Sequence, residues 1–399
     1  MREGWKAVKF GEVVEFSPKI KMVKGNKYPF IPMELIDGGF KYVKPIEEKE
    51  LVGGGAKFEE GDTLFARITP CLQNGKIAQA KNLKNKPGFG STEYFIFRGI
   101  PNVTDNDYVF YLSQMKEFRD NAINSMVGAS GRQRADAGHV KSFVFNLPPL
   151  ETQKKIASIL SGYDDLIENN LKRIKILEEM AQQTYEEWFV RMRFPGYETA
   201  AMNAETGLPE GWEKVKLGDV CDFSQGLQVG VENQFTESNE NRSRFIRIVD
   251  ITQNTQEIRF IDNPKTSNQF ITFKDIFMVR YGAPQVSTNY EGIIANNFFK
   301  IKIKNEEKLK RKFLFTFLNR PIINEYLLSI SVSATMPAIS FKSFSTIEII
   351  IPKIDLQEKL HNWVDKIYEE KLNLQSQNQR LREGRDLLLP RLMMGIVEV

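Results

Sequence analysis

Few side chains in this sequence could carry covalent chemistry. Two histidines, His139 and His361, and two cysteines, Cys71 and Cys221, are all that 399 residues supply. That is too few for a cysteine-rich or multi-histidine metal site, and it leaves little room for a His-dependent triad. His139 reads as a helix or loop hydrogen-bonder and His361 as the flank of a helix pair. The triplets Glu47-Glu48-Lys49 and Glu369-Glu370-Lys371 have the acid-x-Lys spacing of a carboxylate–lysine nuclease, but such triplets are common on solvated surfaces. Asn146-Leu147-Pro148-Pro149-Leu150 is the nearest string to the Asn/Asp-Pro-Pro-aromatic tetrapeptide of an amine methyltransferase. Its Asn is displaced and its aromatic is missing, which leaves an extended exit from a strand into a helix. Gly53-Gly54-Gly55 reads as a turn. No Gly-x-x-x-x-Gly-Lys-Ser/Thr loop, Gly-x-Ser-x-Gly elbow or His-Glu-x-x-His pair occurs. The expectation is a chain with no catalytic residues, no metal site and no cofactor of its own.

Composition bounds what remains. Hydrophobic content of 41% and charged content of 27% fit a globular protein of two or three domains. A formal net charge of +4 permits a polyanionic partner without demanding one. The apolar runs are too short for a bilayer span and two cysteines suit a reducing compartment, so a cytoplasmic protein with no membrane association is expected.

The sequence repeats itself after about two hundred residues, too long a period for a solenoid, so the reading is domain duplication. Gly4-Trp5-Lys6-Ala7-Val8-Lys9-Phe10-Gly11-Glu12-Val13 returns as Gly211-Trp212-Glu213-Lys214-Val215-Lys216-Leu217-Gly218-Asp219-Val220. Likewise Leu147-Pro148-Pro149-Leu150-Glu151-Thr152-Gln153 returns as Ile351-Pro352-Lys353-Ile354-Asp355-Leu356-Gln357. Each copy opens with a mixed segment, 1–150 and 208–352. Runs such as Tyr94-Phe95-Ile96-Phe97 and Phe298-Phe299-Lys300-Ile301 predict strands, and 107–122 and 308–328 predict helices.

Each copy then ends in one long helix. Ile156, Leu160, Tyr163, Ile167, Asn170, Ile174, Leu177, Ala181, Thr184 and Trp188 follow steps of four and three, a heptad seam. The second helix repeats the pattern through Leu360, Val364, Ile367, Leu374, Asn378, Leu381, Leu388 and Leu392, with Lys371 and Arg385 as breaks. A stripe of that length needs a partner, and the other helix is the nearest. Basic side chains exceed acidic ones on both globular segments, while the first helix is net acidic. A polyanion would therefore bind the globular parts.

The ordered set of motifs resembles the specificity subunits of type I restriction–modification enzymes. It comprises Pro149-Leu150-Glu151-Thr152-Gln153 opening a helix, Glu187-Trp188-Phe189 before Arg193-Phe194-Pro195-Gly196-Tyr197, the passage from Gly207-Leu208-Pro209 to Val220, and the terminal Leu389-Pro390-Arg391-Leu392-Met393-Met394-Gly395. The second copy departs from it with Pro352-Lys353-Ile354 but keeps Gln357. The resemblance implies an α+β fold of two similar target-recognition domains, each followed by a long helix, the helices pairing as an antiparallel coiled coil. The implied divisions are recognition domain 1 over 1–150, a central spacer helix over 151–192, a linker with recognition domain 2 over 193–352, and a second spacer helix over 353–399. It further implies a non-catalytic subunit reading a split double-stranded DNA site. Two modification (methyltransferase) subunits would bring S-adenosylmethionine, and restriction subunits would bring ATP and magnesium. The alternative is a coiled-coil scaffold with two protein- or glycan-binding heads, distinguishable by the salt dependence of DNA affinity.

Base readout needs paired donors and acceptors, Arg or Lys for guanine and Asn or Gln for adenine. The candidates in the first domain are Arg67, Thr69, Gln73, Asn74 and Lys76, with the open loop Ser130-Gly131-Arg132-Gln133-Arg134. In the second they are Arg280, Tyr281, Gln285, Ser287 and Thr288, then Ser333 and Thr335. Lys19 and Lys21, with Lys24 and Lys27, read as phosphate contacts, as do Arg242 and Arg244, with Arg247, in the second domain.

Overall fold

The computed structural model describes residues 4–129, 131–252, 257–264, 268–281, 284–329 and 338–399. The chain forms two compact units, one of Met1–Arg173 with Asn373–Val399 and one of Ile174–Leu372. Each unit holds a globular head and a stretch of both long helices.

In the first head, a five-stranded sheet runs Val14–Phe16, Tyr94–Gly99, Thr63–Ala66, Ile77–Ala80, Tyr42–Val43. A four-stranded sheet runs Glu47–Glu50, Lys27–Ile31, Gly88–Gly90, Ala56–Phe58. Thr63–Ala66 and Ile77–Ala80 are buried at every residue, mostly apolar ones, and the buried Gln79 amide donates to the Gly61 and Asn106 carbonyls. Aromatic packing fills the core beneath: the Phe10 ring lies 4.9 Å from that of Phe97 and 4.7 Å from that of Phe118. The second head repeats this order among its described residues except for the edge strand Tyr42–Val43. Cys221–Gln225, Phe298–Ile303, Ile276–Val279 and Val286–Ser287 form one sheet, and Arg259–Asp262, Arg242–Ile246, Gly292–Ile294 and Phe270–Ile271 the other. In both heads the second sheet mixes parallel and antiparallel pairing in the same places. The duplication read from the sequence is thus a duplication of topology.

The helices expected over 107–122 and 308–328 are each two. Asn106–Gln114 and Lys116–Asn124 are separated by the extended residue Met115, and Arg311–Leu318 and Pro321–Ser329 by a turn ahead of Pro321. Pro321 has no N–H with which to continue the preceding helix. Both members of a pair bury aromatic and aliphatic residues in one core, so the apolar period runs across the break.

A two-stranded ribbon leads into each long helix: Lys6–Lys9 pairs with Val144–Leu147, and Glu213–Lys216 with Glu348–Ile351. The helices follow as Leu150–Tyr185 and Ile354–Met393. Their first turns hold the fully buried Gln153 and Gln357. The Gln153 amide donates to the carbonyls of Val103 (3.0 Å) and Pro148 (2.9 Å), and its oxygen accepts the Asp105 N–H (3.0 Å). Gln357 does the same with Lys308 (2.8 Å), Pro352 (2.9 Å) and the Lys310 N–H (2.8 Å). Asp105 and Lys310 are the residues that start the helices Asn106–Gln114 and Arg311–Leu318. One side chain therefore joins strand exit, spacer helix and head helix in each copy.

Within each unit the two helices run antiparallel. In the first unit Asp164 meets Arg385 and Asn170 meets Asn378; in the second Glu178 meets Lys371. Of the predicted seam, Ile156, Leu160, Ile167, Ile174, Leu360, Val364, Ile367, Leu374 and Leu392 are buried, while Tyr163, Leu177, Leu381 and Leu388 are half-buried. Gly384 lies against Tyr163, where an added Cβ would sit 3.1 Å from the ring. At the end of the first helix the seam shifts from Thr184 and Trp188 to Tyr185 and Phe189, which are buried in the second head's core. Tyr185 lies one four-residue step beyond the buried Ala181 within the α-helix, and a π-turn over Glu186–Val190 follows it. The end of the second helix likewise buries Leu392 and Met393 in the core of the first head.

The seam of the first unit has a polar layer. Asn170 donates to Asn378 (3.0 Å), and the Arg385 guanidinium reaches the buried Asp164 carboxylate (2.5 Å) and the Gly39 carbonyl (3.1 Å). Tyr111 of the head donates to the other Asp164 oxygen (2.6 Å), and burial together with that carboxylate raises the phenol's pKa well above its usual value. Buried Lys41 donates to Ser161 (2.7 Å) and pairs with Asp107 (3.0 Å). The residues that break the apolar pattern, Lys371 and Arg385, are thus each matched by an acid on the facing helix.

Two stability predictions follow from these buried groups. Gln153→Leu or Gln357→Leu strands one N–H and two carbonyls, so each should lower unfolding free energy by at least about 1–3 kcal/mol in denaturant titrations. Arg385→Leu isolates the Asp164 charge and should cost about 3–5 kcal/mol. The double variant Asp164→Asn/Arg385→Leu keeps an acceptor for Tyr111 and should recover most of that loss by the same measurement.

Candidate nucleic-acid interface

The first head brings two of the predicted segments together. The turn between Thr63–Ala66 and Ile77–Ala80 carries Arg67 to Lys76, and the loop 127–134 folds against its base. Val127 and Arg134 exchange both backbone hydrogen bonds at 3.0 Å, closing that loop. The Thr69 N–H donates to the Gln133 carbonyl, the Gln133 N–H donates to the Thr69 hydroxyl, and the Ala135 N–H donates to the Arg67 carbonyl. Gly131 makes the turn with φ +78°, a conformation that suits glycine.

These contacts sort the candidates. Thr69 is buried and its hydroxyl is occupied by the neighbouring loop. Lys76 spends its ammonium on the Met33 carbonyl (3.0 Å). Gln73 and Asn74 are exposed at the tip of the turn, and Arg132 is exposed with its guanidinium unpaired among the described residues. Gln133 is half-buried, its backbone committed and its amide free among the described residues. Arg134 is held by Glu93, a residue the sequence reading passes over. Its Nε–H lies 2.9 Å from Glu93 Oε2, and its Nη2 lies 2.6 Å from Oε1. Arg67 stands 3.5 Å from the same carboxylate, with its guanidinium 5.2 Å from the centre of the Phe95 ring. The bond from Arg134, aided by the charges of both arginines, lowers the Glu93 pKa below the usual glutamate range.

The second head repeats the frame with other side chains. The Ile339 N–H donates to the Arg280 carbonyl (3.0 Å) as Ala135 does to Arg67, and the Arg280 N–H donates to the Asn297 carbonyl (2.7 Å) as Arg67 does to Glu93. Arg280 also gives its Nε–H to the Ile339 carbonyl (3.2 Å) and lies over Tyr281 and Phe341. Tyr281 bridges to Ala338, the counterpart of Arg134. Gln285 is exposed, Ser287 is buried in its strand, and the Thr288 hydroxyl is 3.4 Å from the Phe273 carbonyl. Ser130, Ser333 and Thr335 lie outside the described residues.

The expected phosphate contacts divide by head. Lys19, Lys21, Lys24 and Lys27 are exposed, with no acid paired to them among the described residues. Lys84 joins them as a cation that sequence reading overlooks, on a turn made by two left-handed residues, Lys84 and Asn85. Arg242 and Arg244 are instead half-buried. Arg242 pairs with Asp262 (3.0 Å) and stacks 3.4 Å from the Phe235 ring centre, and Arg244 lies over Tyr290. Arg247 is chelated by Asp250 and the Glu257 carbonyl. Neighbouring groups thus occupy these three arginines, Arg242 and Arg244 from alternate positions of the strand Arg242–Ile246 and Arg247 from just beyond its end.

Among the described residues no helix is long and apolar enough to cross a membrane, and no group of three His, Cys, Asp or Glu side chains could hold a metal ion.

Comparison with known proteins matches the type I restriction modification DNA specificity domain twice, over residues 2–179 and 209–381. The type I restriction enzyme MjaIX specificity subunit of Methanocaldococcus jannaschii is 26% identical over 96% of this chain and 90% of its own length. The HindI specificity subunit of Haemophilus influenzae is also 26% identical, over 93% of this chain and 95% of its own length. In fold, the chain is similar to the crystal structure of a type I restriction–modification S subunit from M. genitalium. The TM-score is 0.55 at 15% identity, covering 98% of this chain and 96% of that one.

The Glu93 carboxylate gives the site a measurable signature. Its folded pKa is depressed, so its contribution to holding the loop is present above the unfolded pKa and is lost as pH falls through the folded one. An NMR titration should place its midpoint below that of an unstructured glutamate, and Arg134→Ala should move it back up.

Proposed function

The chain belongs to the type I restriction–modification DNA specificity family, and from that membership we propose that each of its heads reads one half of a split duplex site. As a specificity subunit it serves recognition, not catalysis. In this reading two modification subunits bind it and supply S-adenosylmethionine chemistry, while restriction subunits supply ATP-driven cleavage with magnesium, all in the cytoplasm. Segments 1–150 and 193–352 act as recognition domains, and helices 151–192 and 353–399 space them.

The observation that carries the reading is the convergence of two polar segments on one backbone frame in the first head, a frame whose bonds at Arg67 recur at Arg280 in the second with different side chains. A side chain reads a base edge only if it arrives pre-positioned, and the bonds from Thr69, Arg67 and Val127 to residues 133–135 supply that positioning. Arg132, Gln133, Arg134, Gln73 and Asn74 are then the base readers of the first head, with Arg67, Thr69 and Lys76 supporting them. Tyr281, Gln285 and Thr288 take the corresponding place in the second, supported by Arg280 and Ser287, with Ser333 and Thr335 as further readers assigned on residue type alone. Lys19, Lys21 and Lys84 contact phosphates, which fixes register on the duplex without specifying sequence.

The test is methylome sequencing of a host expressing the chain with its modification subunit. The wild type should methylate a two-part sequence, and its affinity for that duplex should fall steeply with salt, as counterion release requires. Replacing Arg132, Gln133 and Arg134 together with Ala should abolish recognition of one half-site and leave assembly intact. Bidentate base contacts are each worth about 1–3 kcal/mol, enough for the loss to be plain. Unchanged methylation of the same split sequence would remove this loop from the interface.

A further inference from the structure

The pairing of Arg134 with Glu93 has a geometry that favours one base. A guanidinium has five N–H groups on two usable edges: the side edge of Nε and one terminal nitrogen, and the end edge of the two terminal nitrogens. Glu93 occupies the side edge, through Nε at 3.0 and 2.9 Å and Nη2 at 2.6 Å. Nη1 has no partner among the described residues, and Nη2 keeps a second hydrogen. The end edge therefore stays free as a two-donor fork, on a side chain that is 43% exposed. Its direction is set twice, by the carboxylate and by a backbone bonded to Val127.

Guanine presents two acceptors, O6 and N7, in the major groove, the partner such a fork requires. Adenine presents N6–H2 beside N7 and would put a donor against a donor. We propose that Glu93 is a specificity-determining residue that positions Arg134 to read a guanine in the half-site of the first head. The inference rests on the reading of the chain as a DNA specificity subunit, and it assigns one base class to one side-chain pair.

The second head supports the pairing as a unit. At the two places equivalent by backbone bonding, it has Asn297 for Glu93 and Ala338 for Arg134. Acid and arginine are both gone, while the frame that held them persists. A purely structural ion pair would be expected to stay with the frame it braces. Residues that differ where the frame is the same are those free to set what each head reads.

The experiment uses the full chain with its modification subunit, reading base preference at every position of the methylated site. Glu93→Gln keeps size but gives up the charge that orients the fork. It should reduce discrimination for guanine at one position by about tenfold or more, leaving the other positions of that half and the whole of the other half unchanged. Arg134→Lys keeps the charge without the fork and, at an exposed site, leaves folding intact. It should lose discrimination at that same position, and the double variant should lose no more than either single one. Unchanged preference in Arg134→Lys, a loss spread evenly over all positions, or a wild-type half-site with no guanine at the affected position overturns the assignment. A wild-type complex that methylates no split sequence overturns the specificity reading itself, and that result appears before any variant is made.

Discussion

A primary amide that is fully buried must find partners for its donors and its oxygen, and in this protein that requirement organises each half of the chain. Gln153 and Gln357 each hold two carbonyls and one N–H, drawn from the strand exit and from the start of a head helix. Any other direction for the long helix would leave three backbone groups buried without partners, at a cost of about 1–3 kcal/mol apiece. The amide thus turns a flexible Pro-containing junction into a fixed one. The head's aromatic core supplies the bulk of stability; the amide supplies an orientation, which apolar packing alone leaves loose.

The helices face the complementary problem. An apolar heptad seam tolerates sliding by a heptad, since each leucine fits the next hole nearly as well. Asn170 with Asn378, and Asp164 with Arg385, remove that degeneracy in the first unit, because a slide would bury an amide or a charge against leucine. Tyr111 and the Gly39 carbonyl join the same network, so the head helps hold the pair of helices in register. A seam of leucines throughout would be at least as stable and less specific.

What the sequence could reveal depended on range. The duplication, the two long helices and most of the seam were legible because they are periodic or local. Lys371 and Arg385 stood out as breaks, but their acids lie about two hundred residues away, where no local pattern points. Thr184 and Trp188 fit the heptad, but two four-residue steps from Ala181 put Tyr185 and Phe189 in the core, and a heptad template does not choose between a step of three and a step of four there. In the first head, residue type singled out Arg132, which is exposed, and Gln133, which is half-buried, but could not tell an outward hydroxyl from the inward one of Thr69. Glu93 went unnoticed because acids are not expected beside DNA. Aligning Tyr94-Phe95 with Phe298-Phe299 would have set it opposite Asn297 and drawn attention to the exchange.

That exchange shows how a duplicated recognition module can diverge without being rebuilt. Arg67 and Arg280 each receive and give the same backbone bonds, so the loops above them are held by main chain, which substitution leaves in place. Side chains on that frame can change with little effect on folding, with one restriction. Removing Glu93 alone would leave two arginines crowded without their counter-charge, and removing Arg134 alone would leave a half-buried carboxylate short of its principal partner. Acid and base are therefore coupled by electrostatics and are most readily gained or lost together. The module keeps its buried amide, its ribbon and its sheets because each satisfies backbone groups, and it varies where side chains satisfy one another.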